Sequence, residues 1–233
     1  MLLFLGIHLL LALLFFFSPQ MDLGFSSLFY TPGQGFIDLE TRSSSRTLPF
    51  LPWITKGFVA ISVLLLIRNI IASWRHRQTT TLPVSTRTIL FLLFTLGLGP
   101  GLMVNVILKD QSGRARPYQI QAFGGDKTFT PIFAATAQCQ RNCSFVSGDA
   151  ALGYFFFAFA FVARKRRAAI ALSAYTLGTA IGLVRIAQGA HFLSDVIFAG
   201  FFTILVAWIL SILLLRAEED SPVAADLTYS RAR

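Results

Sequence analysis

Three residues towards the C-terminal end of the chain have the types and the spacing of a phosphate-handling site. Arg185 precedes His191 by six positions, and Asp195 follows that histidine four positions later. If Asp195 opens a helix, its carboxylate can accept a hydrogen bond from one imidazole nitrogen, which fixes the tautomer and leaves the other nitrogen free to attack. An arginine nearby can hold an anion, because its planar guanidinium matches phosphate oxygens. The same residues would also be ordinary at a membrane–water boundary, so this stretch alone leaves both interpretations open.

A second cluster runs from Lys109 to Pro117 and combines three cations with one acid. The cations are Lys109, Arg114 and Arg116, and the acid is Asp110. Such a cluster can bind an anion or can simply be a solvated basic loop, and Pro117 prevents a regular helix from continuing through it.

A third cluster, Ser147-Gly148-Asp149, stands at the entrance of an apolar run. A Ser-Gly pair at a helix N-terminus presents a hydroxyl and free backbone N–H groups, which together can cradle an anion. Alternatively, Ser147 or Asp149 simply caps the helix.

The rest of the chain has the composition of a membrane protein. Of its 233 residues 55% are hydrophobic and 13% are charged, with a mean hydropathy of +0.65, whereas soluble domains contain about 25% charged residues. The net charge of +9 is compatible with nucleic-acid binding, but no basic helix or binding motif supports that function. In a membrane protein, positive charge retains loops in the cytoplasm and binds anionic lipid. We therefore expect an integral membrane protein that does not bind nucleic acid.

Six apolar segments approach the length of about 20 residues that a spanning helix needs. The sequence predicts an all-α fold, an integral membrane bundle of six transmembrane helices, in a single membrane-embedded domain over residues 1–233 with a flexible tail over 216–233. Gly178 and Gly182 favour close helix packing in the fifth segment, and the glycines and proline at 97–101 predict a kink or a close contact in the third. The predicted spans are 2–18, 56–73, 88–108, 149–163, 168–186 and 195–215.

Basic loops set the expected orientation of these spans. The short loops 74–87 and 164–167 are rich in Arg and Lys, which predicts that they and both termini are cytoplasmic. The first segment lacks the basic start of a signal peptide, so we expect it to be retained. Loops 19–55, 109–148 and 187–194 then share the opposite face. Loop 109–148 is also basic, which opposes this orientation unless its cations bind an anion there. All three clusters then lie at span ends on one face, where they can converge on one pocket.

Together the three clusters resemble the signature of the type 2 phosphatidic acid phosphatase family, which is related to the vanadium haloperoxidases. That signature is K-x6-R-P, then P-S-G-H, then S-R-x5-H-x3-D. The first part is matched in full, from Lys109 through Arg116 and the proline after it. The third part is matched from Arg185 through His191 to Asp195.

The sequence departs from the signature at three positions. The second part is matched only at Ser147 and Gly148, since Val146 replaces proline and Asp149 replaces histidine. In the third part, Val184 stands where the family has serine. The departure at position 149 matters most, because it removes the residue that the family uses as an acid.

The resemblance implies a division of roles among the site residues. His191 would attack phosphorus and form a phosphohistidine, Asp195 would orient the ring, and water would then hydrolyse the intermediate. The residue at position 149 would protonate the leaving oxygen. Neither a metal nor another cofactor is needed, because fixed cations stabilise the developing charge. The phosphoryl oxygens would be bound by Lys109, Arg116, Ser147, Gly148 and Arg185.

Asp149 fits the role of acid under restricted conditions. A free aspartic acid has a pKa of about 3.9, which nearby cations would depress and a bound phosphate dianion would raise. Asp149 would therefore act as a general acid only in the loaded complex. Alternatively, the substrate has a leaving group that needs little protonation, such as a diphosphate or an anomeric sugar phosphate. A third interpretation is that activity is lost and the protein only binds phospholipid.

A phosphate pocket between apolar helices suits a lipid with a phosphorylated head group. The run from Cys143 to Gly148 resembles the bacterial lipid A phosphatase branch of the family, and lipid A carries an anomeric 1-phosphate. We therefore expect a lipid A phosphatase of the bacterial inner membrane whose site faces the periplasm. Undecaprenyl diphosphate and phosphatidylglycerol phosphate are the alternative substrates. A transporter is the alternative of another class, but it should carry charges near mid-membrane, whereas these clusters lie at span ends.

Two cysteines, Cys139 and Cys143, lie four positions apart in the predicted periplasmic loop. In an oxidising compartment a disulfide between them would brace the approach to Ser147, and two free thiols are the alternative. A metal site is not expected, since no histidine or second cysteine pair is nearby.

Overall fold

The structure is a computed structural model that describes residues 2–37, 51–75 and 86–215. The predicted flexible tail, residues 216–233, and most of the basic loop at 74–87 lie outside these ranges.

The N-terminal segment is a bent helix pair followed by a small hairpin. Pro19 is the N-cap residue of the second helix, which is turned by 87° from the first, because proline cannot extend the hydrogen-bond ladder of the helix before it. The two strands pair antiparallel, with Tyr30 opposite Phe36. The elements are α1 (Leu2–Phe17), α2 (Gln20–Ser27), β1 (Tyr30–Thr31) and β2 (Gly35–Phe36).

The remaining elements form a helical bundle. Four helical stretches are long and apolar enough to span a membrane, and the bent pair α1–α2 makes five if it counts as one span. The described part of the chain is mostly helical, at 71%, and the apolar stretch Gly148–Val162 is shorter than the others. The helices are α3 (Leu51–Arg75), α4 (Thr86–Leu96), a π-helical segment (Gly97–Leu108), α5 (Lys109–Gln111), α6 (Gly148–Phe155), α7 (Ala158–Val162), α8 (Arg167–Ala187) and α9 (Leu193–Leu214).

The π-helical segment lies where the sequence predicts a kink or a close helix contact. Pro100 lies inside it and has no N–H to donate, and the Asn105 amide donates to the Pro100 carbonyl at 2.7 Å. A Cβ added to Gly99 would lie 3.8 Å from the Cα of Thr203 in α9. Gly99 therefore faces α9 at ordinary van der Waals distance.

Helix α6 packs tightly against α8, as the small residues of the fifth predicted span indicate. A Cβ added to Gly153 would lie 2.7 Å from the Cα of Gly178. A Cβ added to Gly182 would collide with the side chain of Val196 in α9. The prediction of close packing at Gly178 and Gly182 is confirmed, and this packing brings the start of α6 to the end of α8 and the start of α9.

The hairpin covers the connection between α8 and α9. The Phe36 ring lies directly against Gly189, whose positive φ of 67° suits glycine, and the Ile37 N–H donates to the Ala187 carbonyl at 3.1 Å. An apolar cluster continues from this contact into the long loop after α5. Its buried members are Phe36, Ala115, Ile120, Phe123 and Phe192.

Candidate active site

The three sequence clusters meet where four helical stretches end. A Cβ added to Gly148 would lie 3.2 Å from the Lys109 ammonium nitrogen, so the first cluster touches the second. The Ser147 N–H donates to the Asp195 carbonyl at 3.1 Å, which joins the second cluster to the third. Arg185, at the end of α8, reaches back to α6 as well. The structure therefore places all three clusters in one site.

His191 is buried, with 1% of its surface exposed. Its Nδ1 lies 2.8 Å from the Ser144 carbonyl oxygen, and because a carbonyl only accepts, Nδ1 must carry the hydrogen. Nε2 is then left with its lone pair, which is the form a nucleophile needs. Burial lowers the pKa of His191 to about 4, against the opposing effect of Asp195, so the ring is neutral near pH 7.

Asp195 is not the group that accepts the imidazole hydrogen, in contrast to the sequence-based expectation. Its Oδ2 lies 3.7 Å from His191 Nδ1, which is beyond hydrogen-bond distance. That oxygen instead accepts from the Ser144 hydroxyl at 2.6 Å and from the Phe192 N–H at 2.8 Å, at the start of α9. Ser144 therefore links the two residues, with its carbonyl on His191 and its hydroxyl on Asp195.

The other oxygen of Asp195 belongs to a buried charge network that the sequence did not reveal. Arg114 donates to Asp195 Oδ1 at 2.7 Å and to Asp22 Oδ2 at 2.8 Å. Its remaining groups donate to the Ser194 hydroxyl and to the Thr130 carbonyl, each at 2.9 Å. Charges removed from water are stable only when paired and hydrogen-bonded, and this guanidinium has two ion pairs and four side-chain hydrogen bonds.

Arg116 lies beside the histidine loop and is held by a neighbouring loop. Its Nη2 donates to the backbone carbonyl and to the side-chain oxygen of Asn142, at 2.9 and 3.1 Å. Its Nη1 is 3.4 Å from the carbonyl of Ala190, the residue before His191. Burial lowers the pKa of Arg116, and the charge of Arg185 lowers it further, so the two cations act on the same space.

A disulfide pairs Cys139 with Cys143, whose Cα atoms are 5.6 Å apart. Asn142, the residue that holds Arg116, lies inside the ring that this bond closes and has a positive φ of 55°. The Cys143 N–H also donates to the Lys109 carbonyl at 3.2 Å. The disulfide loop therefore contacts both cationic residues of the first motif.

Ser147 caps α6, which agrees with the simpler of the two interpretations of the sequence at this position. Its side-chain oxygen accepts from the Ala150 N–H at 3.4 Å, and its side chain is buried. The same hydroxyl can donate its hydrogen to a phosphate oxygen. Next to it, Gly148 leaves room for the Asn105 and Lys109 side chains, since an added Cβ would lie 2.5 Å from Asn105 Oδ1. Asn105 had no recognisable signal in the sequence.

Asp149 forms an ion pair with Arg185. Its Oδ2 lies 3.0 Å from Arg185 Nε, and 34% of the Asp149 side chain is exposed. Arg185 is buried and also donates to Gln188 Oε1 at 2.8 Å. The Asp149 carboxylate thus faces Arg185, one of the residues expected to bind phosphate, and remains accessible to solvent.

Nothing among the described ranges gathers three or more His, Cys, Asp or Glu side chains in a way that could hold a metal ion.

Comparison with known proteins gives a family and several relatives. A family model described as PAP2 superfamily matches residues 88–218, which is more than half of the chain. The chain is 35% identical over 208 residues to a lipid A 4'-phosphatase of Francisella tularensis subsp. novicida, covering 88% of this chain and 91% of the relative. It is 32% identical over 194 residues to a lipid A 4'-phosphatase of Rhizobium leguminosarum, covering 82% and 80%. A lipid A 1-phosphatase of Rhizobium etli is 39% identical over 120 residues, which is 49% of this chain and 47% of the relative. No solved structure matches the chain.

Proposed function

This chain belongs to the PAP2 superfamily, and on that premise we propose that it is a membrane lipid A phosphatase acting through a phosphohistidine. The observation that carries the proposal is the neutral, buried ring of His191, whose Nδ1 is committed to a carbonyl beside the cations of the matched motifs. The relatives that are similar over more than four fifths of this chain are named lipid A 4'-phosphatases. The 1-phosphatase is similar over about half of it. We therefore propose the 4'-phosphate as the group removed.

In the first step, His191 Nε2 attacks phosphorus and the bond from phosphorus to the sugar oxygen breaks. The electron pair of that bond goes to the leaving oxygen, and the phosphoryl group becomes attached to Nε2. Lys109, Arg116 and Arg185 bind the other phosphoryl oxygens, where negative charge spreads in the transition state. The Ser144 carbonyl and Asp195 stabilise the positive charge that the ring gains.

The proton for the leaving oxygen comes from Asp149. The 4'-phosphate is an ester of a sugar ring alcohol, and such an alkoxide needs protonation as it departs. In the free protein Asp149 is paired with Arg185. A bound phosphate competes for that guanidinium and repels the carboxylate, which favours uptake of a proton. The 4'-phosphate therefore gives Asp149 a larger role than an anomeric phosphate would.

In the second step, water attacks the phosphorus of phosphohistidine. The Asp149 carboxylate accepts a proton from this water, the P–N bond breaks and inorganic phosphate leaves, so that Nε2 regains its lone pair. The fixed cations supply the charge stabilisation throughout, and the reaction is metal-independent and needs no cofactor.

We also propose that the whole chain, residues 1–233, is one lipid phosphatase domain with six spans in the bacterial inner membrane, and that the site faces the periplasm. Helix α8 supports this topology, because the basic run Arg164–Arg167 leads into its first residue and Arg185 of the site lies near its end. Basic loops remain cytoplasmic, which puts the site on the other face and both termini inside the cell.

A fluorescent-protein fusion at the C-terminus should be fluorescent and an alkaline phosphatase fusion there inactive, and the reverse result would refute the topology.

The test of the function is phosphate release by the purified, detergent-solubilised protein with chelator present. The panel is lipid A, undecaprenyl diphosphate and phosphatidylglycerol phosphate, and mass spectrometry identifies the phosphate lost from lipid A. We expect loss of the 4'-phosphate and no release by His191→Ala. His8→Ala is the matched control, since His8 bonds to the carbonyl of Phe4 in α1 and should leave activity unchanged. Release from another lipid alone would reassign the substrate, and no release from any of the three would refute the function.

A further inference from the structure

Asp22 lies outside residues 88–218, the part of the chain that the family model matches, yet it reaches the centre of the site. It belongs to α2, on the N-terminal segment, and only 1% of it is exposed. Arg114 is also almost fully buried, at 2%. A carboxylate so far from water is stable only if ion pairs and hydrogen bonds compensate its desolvation.

Asp22 holds two different groups that surround Asp195. Its Oδ2 accepts from Arg114 Nη2 at 2.8 Å, while Arg114 Nη1 is bonded to Asp195. Its Oδ1 accepts from the Ser194 N–H at 2.9 Å, and the Ser194 hydroxyl donates to its Oδ2. Ser194 lies in the first turn of α9 next to Asp195. One carboxylate therefore fixes both the cation that faces Asp195 and the backbone that carries it.

The chain of contacts continues from Asp195 to the nucleophile. The Ser144 hydroxyl donates to Asp195 Oδ2, and the Ser144 carbonyl accepts from His191 Nδ1. The guanidinium is shared between two carboxylates. Removal of the negative charge of Asp22 therefore changes the strength and geometry of the ion pair between Arg114 and Asp195. A shift of Asp195 would then move Ser144, and with it the acceptor that sets the tautomer and direction of the ring.

We propose that Asp22 is a positioning residue for His191, acting through Arg114 and Ser194 on Asp195. Helix α2 is therefore part of the catalytic apparatus as well as an element packed on the bundle. The effect on rate rests on the proposed phosphatase function, whereas the effect on the geometry of His191 does not.

The first experiment measures a single turnover of lipid A by Asp22→Asn, which keeps an oxygen for the Ser194 N–H and removes the charge. Displacement of a reacting group by about 1 Å costs up to about 100-fold in rate, so we expect the rate constant to fall about tenfold or more with the amplitude unchanged. Ser26→Ala is the matched control. Ser26 lies in the same helix and is equally buried, and its hydroxyl has no hydrogen-bond partner in the described part of the chain. A reduced amplitude with an unchanged rate constant would show a merely structural role and overturn the proposal.

The second experiment needs no substrate. The protein is labelled with ¹⁵N-histidine, and the ring resonances of His191 are assigned by their loss in His191→Gln. We expect Asp22→Asn to shift these resonances and leave those of His8 in place, while Ser26→Ala shifts neither. If His191 does not respond, the proposal is wrong even if the variant is less active. If no lipid releases phosphate, the proposed function fails while this experiment still decides the role of Asp22.

A milder variant covers the case in which Asp22→Asn does not fold. Ser194→Ala removes only the hydroxyl that donates to Asp22 and accepts from Arg114, and leaves both ion pairs of Arg114 in place. It should shift the His191 resonances in the same direction by a smaller amount. Unshifted resonances in this variant would contradict the proposed path.

Discussion

Replacing Asp149 by asparagine would separate two functions of this side chain, the donation of a proton and the holding of Arg185. Asparagine has the same shape and keeps an amide group beside Arg185 Nε, which lies 3.0 Å from the present carboxylate oxygen. It cannot donate a proton to a leaving alkoxide. The substitution therefore removes the acid and changes the position of Arg185 as little as possible.

The two functions predict effects of different size. General acid catalysis by a positioned side chain contributes about 10²–10⁴ in rate, or about 3–5 kcal/mol of activation free energy. The ion pair contributes much less, because 34% of the Asp149 side chain is exposed and such pairs are worth at most about 1 kcal/mol. That is a factor of about five. The loss of the acid should therefore dominate for a substrate that needs a proton.

Two substrates with different leaving groups measure the two functions separately. The rate constant of the first step, measured as the pre-steady-state loss of substrate, reports the acid alone, because the attack of water follows it. On lipid A, whose sugar alkoxide needs protonation, Asp149→Asn should lower this rate constant at least about 100-fold. On an aryl phosphate, whose phenolate leaves without a proton, it should lower the rate constant of the first step about fivefold or less. Asp126→Asn, which removes an exposed carboxylate from the long loop, is the control and should match the unmodified protein on both substrates.

Equal losses on the two substrates would refute the assignment. Asp149 would then act by placing Arg185, and the proton would have to come from another group. Unchanged first-step rate constants on both substrates would show that Asp149 neither donates this proton nor holds Arg185.

Three further predictions concern stability, binding and pH. Arg114→Gln leaves two buried carboxylates without a cation and should lower the free energy of unfolding by about 3–5 kcal/mol, measured as a lower Tm in detergent. Arg141→Gln removes an exposed charge from the same loop and should leave the Tm unchanged; equal Tm values for both variants would contradict the network. Gly148→Ala puts a Cβ 2.5 Å from Asn105 Oδ1 and 3.2 Å from the Lys109 ammonium nitrogen. Because Lys109 must then move away from the phosphate, this substitution should raise KM about tenfold. Gly57→Ala, whose Cβ meets no atom of the described residues within 4 Å, should not raise it, and a KM unaffected in both variants would contradict this placement. The ring resonances of His191 should not titrate between about pH 8 and about pH 5, because its pKa is lowered from 6.5 to about 4. The stability from burying the neutral ring is present above pH 6.5 and is lost as the pH falls towards 4, and a titration midpoint near 6.5 would show that the ring is exposed.

The parts of the site that could be predicted from sequence are those with a local pattern. The spacing from Lys109 to Arg116 and from Arg185 through His191 to Asp195 led to the family, which is confirmed. Hydropathy located the six apolar segments, since each coincides with helix in the structure. In these cases a few neighbouring positions carry the whole signal.

The parts of the site that could not be predicted depend on pairs of residues far apart in the chain. Asp22 and Arg114 are separated by 92 positions, and neither has neighbours that indicate the other. The acceptor for His191 is the carbonyl of Ser144, which any residue type provides, so no side-chain pattern reports it. Only the packing of α2, the long loop and α9 brings these groups together.

The small size of the disulfide ring determines what the bond can do. Closing a loop of five residues, from Cys139 to Cys143, removes little freedom from the unfolded chain, equivalent to about 2 kcal/mol in the chain-entropy model. The bond therefore adds little to the stability of the whole bundle, and its main effect is local. It restricts Asn142, whose two oxygens hold Arg116. Reduction should leave a folded membrane protein whose phosphate clamp has lost its support, so a thiol reductant in the purification buffer would weaken substrate binding without denaturing the protein.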